Sequence, residues 1–89
     1  MGDVWGAMGD PTRRKILSLL KKEDLNAGQI AAEFDMAKPS ISHHLGILKN
    51  AGLVYAQKSG QHVIYSINTS VLEDVMKLIA GWMEKGEGL

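Results

Sequence analysis

The chain has 89 residues, 45% of them hydrophobic, which is the length of one domain with more apolar surface than so small a core readily hides, and so favours an oligomer. It has no cysteine, which excludes a disulfide framework, a thiolate metal site and a thiol nucleophile. Ten basic and ten acidic residues sum to a formal charge of zero, a poor start for a nucleic-acid binder, yet the charges fall in separate patches, and patches set the local field.

Residues 11–22 carry Arg13, Arg14, Lys15, Lys21 and Lys22 and no acid. Residues 23–37 carry Glu23, Asp24, Glu33 and Asp35 and no base. Residues 38–62 hold Lys38, Lys49, Lys58 and all three histidines, again without an acid. The opening "MGDVWGAMGD" lacks a basic segment ahead of an apolar one and does not read as a signal peptide. No apolar run approaches the ~18 residues of a membrane span. The expectation is a cytoplasmic protein with no membrane insertion.

In chain order, residues 3–9 can form a short helix with Val4, Trp5 and Met8 on one side. Asp10-Pro11 is a helix start, an N-cap acceptor followed by proline in the first helical position. That helix runs to about Lys22 with Ile16, Leu17 and Leu20 facing inward. Asn26 followed by Gln29 resembles a capping box, so a third helix starts near Ala27 and buries Ile30, Ala31 and Phe34. Asp35-Met36-Ala37 reads as a tight turn. "KPSISHHLGILKN" is a fourth helix with Ile41, Leu45 and Leu48 as its inner stripe and Gly52 just past its end. From Leu53 the period becomes two: "LVYAQK" and "QHVIYSI" read as strands of a hairpin joined by Ser59-Gly60. Residues 69–85 return to helix, capped by Thr69 or Asn68, with Val71, Val75, Leu78, Ile79 and Trp82 along one face.

Two helices joined by a three-residue turn make a helix-turn-helix, and the hairpin that follows makes it winged. The expected fold is mainly α with a two-stranded β-hairpin. In such a unit the second helix can lie in the DNA major groove while the hairpin reaches the backbone alongside. The fourth helix is composed for that place. At about 100° per residue, Pro39, His43 and Gly46 point opposite the apolar stripe, flanked by Ser40 and Ser42. Hydroxyls and imidazole can bond to base edges or phosphates, glycine permits close approach, and an acid would repel phosphate.

"DPTRRKILSLL", "NAGQIAAEFDMAKPSISHHLGILKNAGLV" and "KSGQHVIYSIN" resemble the ArsR-type winged-helix transcriptional repressors over nearly the whole chain. They are most similar to the small subgroup without metal ligands, which includes autorepressors. The resemblance implies a homodimer paired through its first and last helices that binds operator palindromes in double-stranded DNA and shuts off transcription. Metal-sensing members place cysteines before the recognition helix or histidine and acid ligands on the last helix. Here the first region reads "QIAAEFD", and the last helix has Glu73, Asp74 and Glu84 but no histidine, which argues against metal sensing.

Several residues carry two readings. His43 and His44 diverge by about 100° on a helix and cannot readily share one ion, so no metal site is expected; His44 reads as a half-buried hydrogen-bonding residue and His43 as a DNA contact. Arg13 and Arg14 oppose the macrodipole of the helix they begin, which a phosphate contact would offset, or a salt bridge to Asp10 or another nearby acid. Lys58, Gln61 and His62 are wing-tip contacts or solvated turn residues. Trp82 and Met83 are interface or core. The expected DNA-binding set is Lys38, Ser40, Ser42, His43, Lys49, Lys58, Gln61, Arg13 and Arg14. The expected dimer interface is Val4, Trp5, Met8, Val71, Val75, Leu78, Ile79 and Trp82. Residues 1–89 read as one DNA-binding domain with dimerisation helices at both ends, no catalytic residue and no cofactor. Alternatives are a winged-helix protein-interaction module that binds no DNA, or a metal-sensing repressor. Without a ligand site, relief of repression falls to a protein partner or to changes in protein level.

Overall fold

The structure, a computed structural model, describes residues 3–85. Helix α1 (Val4–Met8) starts at Asp3, whose carboxylate accepts from the Trp5 amide at 3.0 Å. Helix α2 (Pro11–Lys22) starts at Asp10, which accepts from the Arg13 amide at 3.0 Å, with Pro11 where its missing N–H costs nothing. Helix α3 (Ala27–Ala31) has the full capping box, Asn26 and Gln29 bonding each other's amides at 2.8 Å. Helix α4 (Lys38–Asn50) has no side-chain cap, in keeping with Ala37 at its N-cap. Its far end is a Schellman turn: Gly52 at φ +78°, its amide on Lys49 O and the Leu53 amide on Leu48 O, both at 3.0 Å. Leu48 and Leu53, which that turn brings together, are both fully buried.

The helix-turn-helix turn is longer than the sequence suggested. Helix α3 ends at Ala31, and residues 32–37 form the connection, tightened by i→i−3 bonds from Glu33 to Ile30 and from Phe34 to Ala31. Phe34 therefore lies in the turn, half-buried. Lys15 Nζ holds it from α2, donating to Glu33 O at 3.2 Å and standing 4.7 Å from the Phe34 ring centre.

Strands β2 (Val54–Ser59) and β3 (His62–Ile67) form the expected hairpin, but its two-residue loop is Gly60-Gln61 rather than Ser59-Gly60, since Ser59 pairs with His62. Gly60 at φ +63° takes the first loop position, as a type II′ turn requires. The sheet also has a third strand. Strand β1 (Leu25–Asn26) pairs antiparallel with β3 at Tyr65 and Ile64, giving the order β1-β3-β2. Asn26 thus ends a strand and caps α3, tying the wing to the helix-turn-helix.

Ile16, Leu20, Ile30, Ile41, Leu45, Leu48 and Leu53 are fully buried, and each such side chain contributes about 1.5–3 kcal/mol. Helix α5 (Thr69–Lys85) joins this core through Val71 and Leu72. Asn68, just before it, does not spend its side chain on the cap: Nδ2 donates to Gly52 O at 2.8 Å, anchoring α5 to the end of α4. From Met76 most of the α5 side chains are exposed, and the molecule measures 48 × 25 × 24 Å.

Candidate nucleic-acid interface

The inner stripe of α4 is Ile41, Leu45 and Leu48, all with no exposed surface. That pinning turns Lys38, Pro39, Ser40, Ser42, His43, Gly46 and Lys49 to solvent. A Cβ built on Gly46 meets nothing within 4 Å, so the middle of this face is open. Lys58, Gln61 and His62 are exposed at the end of the wing. A cleft of about 350 Å³ separates wing from helix, and Lys38 and Ser42 line it from one side, Gln61 and His62 from the other. Lys49 lies eleven residues beyond Lys38, about 16 Å along the helix. No residue from 36 to 72 is acidic, so α4 and the wing bring no carboxylate to this face.

Among the described residues Arg13 and Arg14 make neither salt bridge that the sequence offered. Asp10 binds the Arg13 backbone amide, and the guanidinium groups turn to the end of α1. Arg13 Nε donates to Ala7 O at 2.7 Å and Nη2 to Gly6 O at 3.2 Å; Arg14 Nη1 donates to Met8 O at 2.8 Å. Cations at the first turn of α2 are thereby cations at the C-terminus of α1, where carbonyls lack helical partners. Arg13 Nη1 also meets His44 Nδ1 at 3.2 Å. His44 is half-buried and hydrogen-bonded, as its place beside the apolar stripe suggested, with Nδ1 3.9 Å from Asp10 Oδ2. The ring centres of His43 and His44 are 5.9 Å apart and tilted by 59°, and among the described residues no three metal-ligating side chains converge.

The Asp10 carboxyl is held below its ordinary value of 3.8, chiefly by the Arg13 amide, with the charges of Arg13 and His44 and the Thr12 amide adding to it against the opposing effect of desolvation. Its stabilisation is complete above that ordinary value and is lost as the pH falls through the lowered one. Asp10→Asn keeps a capping oxygen but not the charge. It is expected to flatten the acid limb of Tm against pH below about pH 4; an unchanged limb would show that the charge adds nothing.

Of the expected interface residues, Val4, Met8 and Val71 pack partly on their own chain's core, and Val75 is half-buried. Trp5 and Trp82 stack on each other within the chain, ring centres 6.1 Å apart at 24°. Leu78 and Ile79 are exposed. Met83, which the sequence offered as interface or core, is 78% exposed, and Met76, which the sequence did not single out, is 69% exposed. Their seven-residue spacing was the available signal.

A helix-turn-helix, a wing beside it and an acid-free outer face define a winged helix-turn-helix of the transcriptional-regulator class. Residues 10–56 match the family described as bacterial regulatory protein, arsR family. The chain is 49% identical over 87 residues to the transcriptional repressor SdpR of Bacillus subtilis, covering 98% of this chain and 97% of that protein. It is 40% identical over 78 residues to an uncharacterized HTH-type transcriptional regulator of Methanocaldococcus jannaschii, covering 86% of this chain and 88% of the other. A crystal structure of an ArsR family transcriptional regulator superposes with a TM-score of 0.84 at 29% identity, covering 96% of this chain and 93% of that one. The chain belongs to the ArsR family of bacterial regulatory proteins. Among its described residues no helix is long and apolar enough to cross a membrane.

Proposed function

We propose that the chain is a homodimeric repressor that shuts off transcription by occupying an operator and excluding RNA polymerase. Ser40, Ser42 and His43 meet base edges in the major groove, Lys38 and Lys49 meet phosphates at the two ends of α4, and Lys58 and Gln61 contact the flanking backbone from the wing. Arg14 is a further phosphate contact from the rim of α2. Two copies pair through α1 and α5, with Trp5, Leu78, Ile79 and Trp82, joined by Met76 and Met83, covering one another over Val4, Met8, Val71 and Val75. The observation that carries the reading is the cleft that sets Lys38 and Ser42 of the helix opposite Gln61 and His62 of the wing on a face without acids. The repressor at 49% identity supports repression as the outcome.

Salt titration of DNA affinity tests it. Lys49→Ala and Lys58→Ala are each expected to weaken binding to every duplex and to lower the salt slope by roughly one phosphate's worth. An unchanged slope for both variants would contradict phosphate contact. Failure of the unaltered protein to bind heparin or DNA would favour a protein-interaction module instead.

A further inference from the structure

Arg13 stands where three elements meet. From the first turn of α2, one guanidinium donates to Gly6 O and Ala7 O of α1 and reaches His44 Nδ1 of α4, at 3.2, 2.7 and 3.2 Å. A guanidinium can only donate, so the contact with Nδ1 is a hydrogen bond in the His44 tautomer whose proton sits on Nε2. We propose that Arg13 is a positioning residue for DNA reading: it fixes the rotation of α4 against the end of α1, and so links the α1–α5 end of the molecule to the groove-facing side chains. The proposal rests on the reading of α4 as the DNA-reading helix.

A five-residue helix is too short to hold its own shape, and the carbonyls at its end are satisfied by Arg13 and Arg14. The same α1 carries Trp5, stacked on Trp82 of α5. A continuous path therefore runs from α5 through the two indoles to α1, from α1 through the Arg13 fork to His44, and from His44 to its neighbours Ser42 and His43 on the outer face of α4. The fork is planar, and its three contacts leave little freedom to turn one helix against the other. Lysine, a point charge on a flexible stem, cannot reproduce that geometry. Asp10 holds the Arg13 backbone amide and places its Oδ2 3.9 Å from the same Nδ1.

The test is a double-mutant cycle on Arg13→Gln and His44→Phe. It measures affinity for a duplex that the unaltered protein selects from a random pool, and for an unselected duplex, across a salt titration. Arg13→Gln is expected to cost about tenfold on the selected duplex. Affinity for the unselected duplex and the salt slope should stay where they were. His44→Phe, which leaves the Arg13 bonds to α1 in place and so keeps the fold, should reproduce that loss, and the double variant should lose no more than either single one. Arg13→Lys should not restore affinity. Nitrogen-15 spectra of the free protein should show His44 Nδ1 unprotonated, and this signal should move in Arg13→Gln. An equal loss on both duplexes with a slope lowered by about one would make Arg13 a phosphate contact. Additive losses, or no loss, would confine the fork to holding the fold. A failure of the DNA reading itself would appear separately, as an unaltered protein that selects no duplex.

Discussion

Trp82→Ala is expected to convert the protein to monomer at micromolar concentration and to abolish operator binding with it. Trp82 is half-buried and stacks on Trp5 of the same chain, and on the same helix Met76, Leu78, Ile79 and Met83 are all exposed. A contiguous apolar surface of this kind marks an association site. Truncating a central interface tryptophan typically costs about 2 kcal/mol or more, and in a two-fold dimer the cost enters twice. Some 4 kcal/mol is roughly a thousandfold in the dimerisation constant. One helix-turn-helix reads one half-site, and the second lies about 34–36 Å away, within reach of a dimer alone. Light scattering beside a gel-shift assay reads both effects, and helix content by circular dichroism separates dissociation from unfolding. A variant that stays dimeric and normally stable would remove α5 from the interface.

The second large effect has opposite signs for stability and for binding. Gly46 sits in the middle of α4 with open space where a side chain would go. Gly46→Glu replaces the poorest ordinary helix former with a good one and should gain about 0.5–1 kcal/mol of stability. That is a rise of a few degrees in Tm for a chain of this size. The added carboxylate points where the groove would lie, and like charges set against each other cost several kcal/mol. DNA affinity is expected to fall by about a hundredfold or more. A variant with raised Tm and full affinity would show that this face of α4 does not approach DNA.

Much of the fold was legible because local signals agreed. Asp10-Pro11, Asn26 with Gln29, and Gly52 marked helix ends that the structure reproduces, and the spacing of Ile41, Leu45 and Leu48 fixed which side of α4 turns outward. What was hidden depends on residues distant in sequence or on elements too short to show a period. Strand β1 is two residues long and exists because β3 comes back to pair with it. The early end of α3 at Ala31 was masked by the apolar spacing of Ile30, Ala31 and Phe34, which continues through the turn. The loop at Gly60-Gln61 rather than Ser59-Gly60 follows from strand register, which the dipeptide alone does not set. Arg13 meets His44 across 31 residues and Trp5 meets Trp82 across the length of the chain, so neither contact could be read from spacing.

The outer face of α4 and the wing are the proposed DNA-reading surface. Amide chemical shifts, followed while a duplex of about 30 base pairs selected by the protein itself is added, test it most directly. The largest changes are expected on residues 38–49 and 58–62, with smaller ones around Arg14, all shrinking as salt is raised. Changes confined to α1 and α5, with residues 38–49 and 58–62 unmoved, would contradict it.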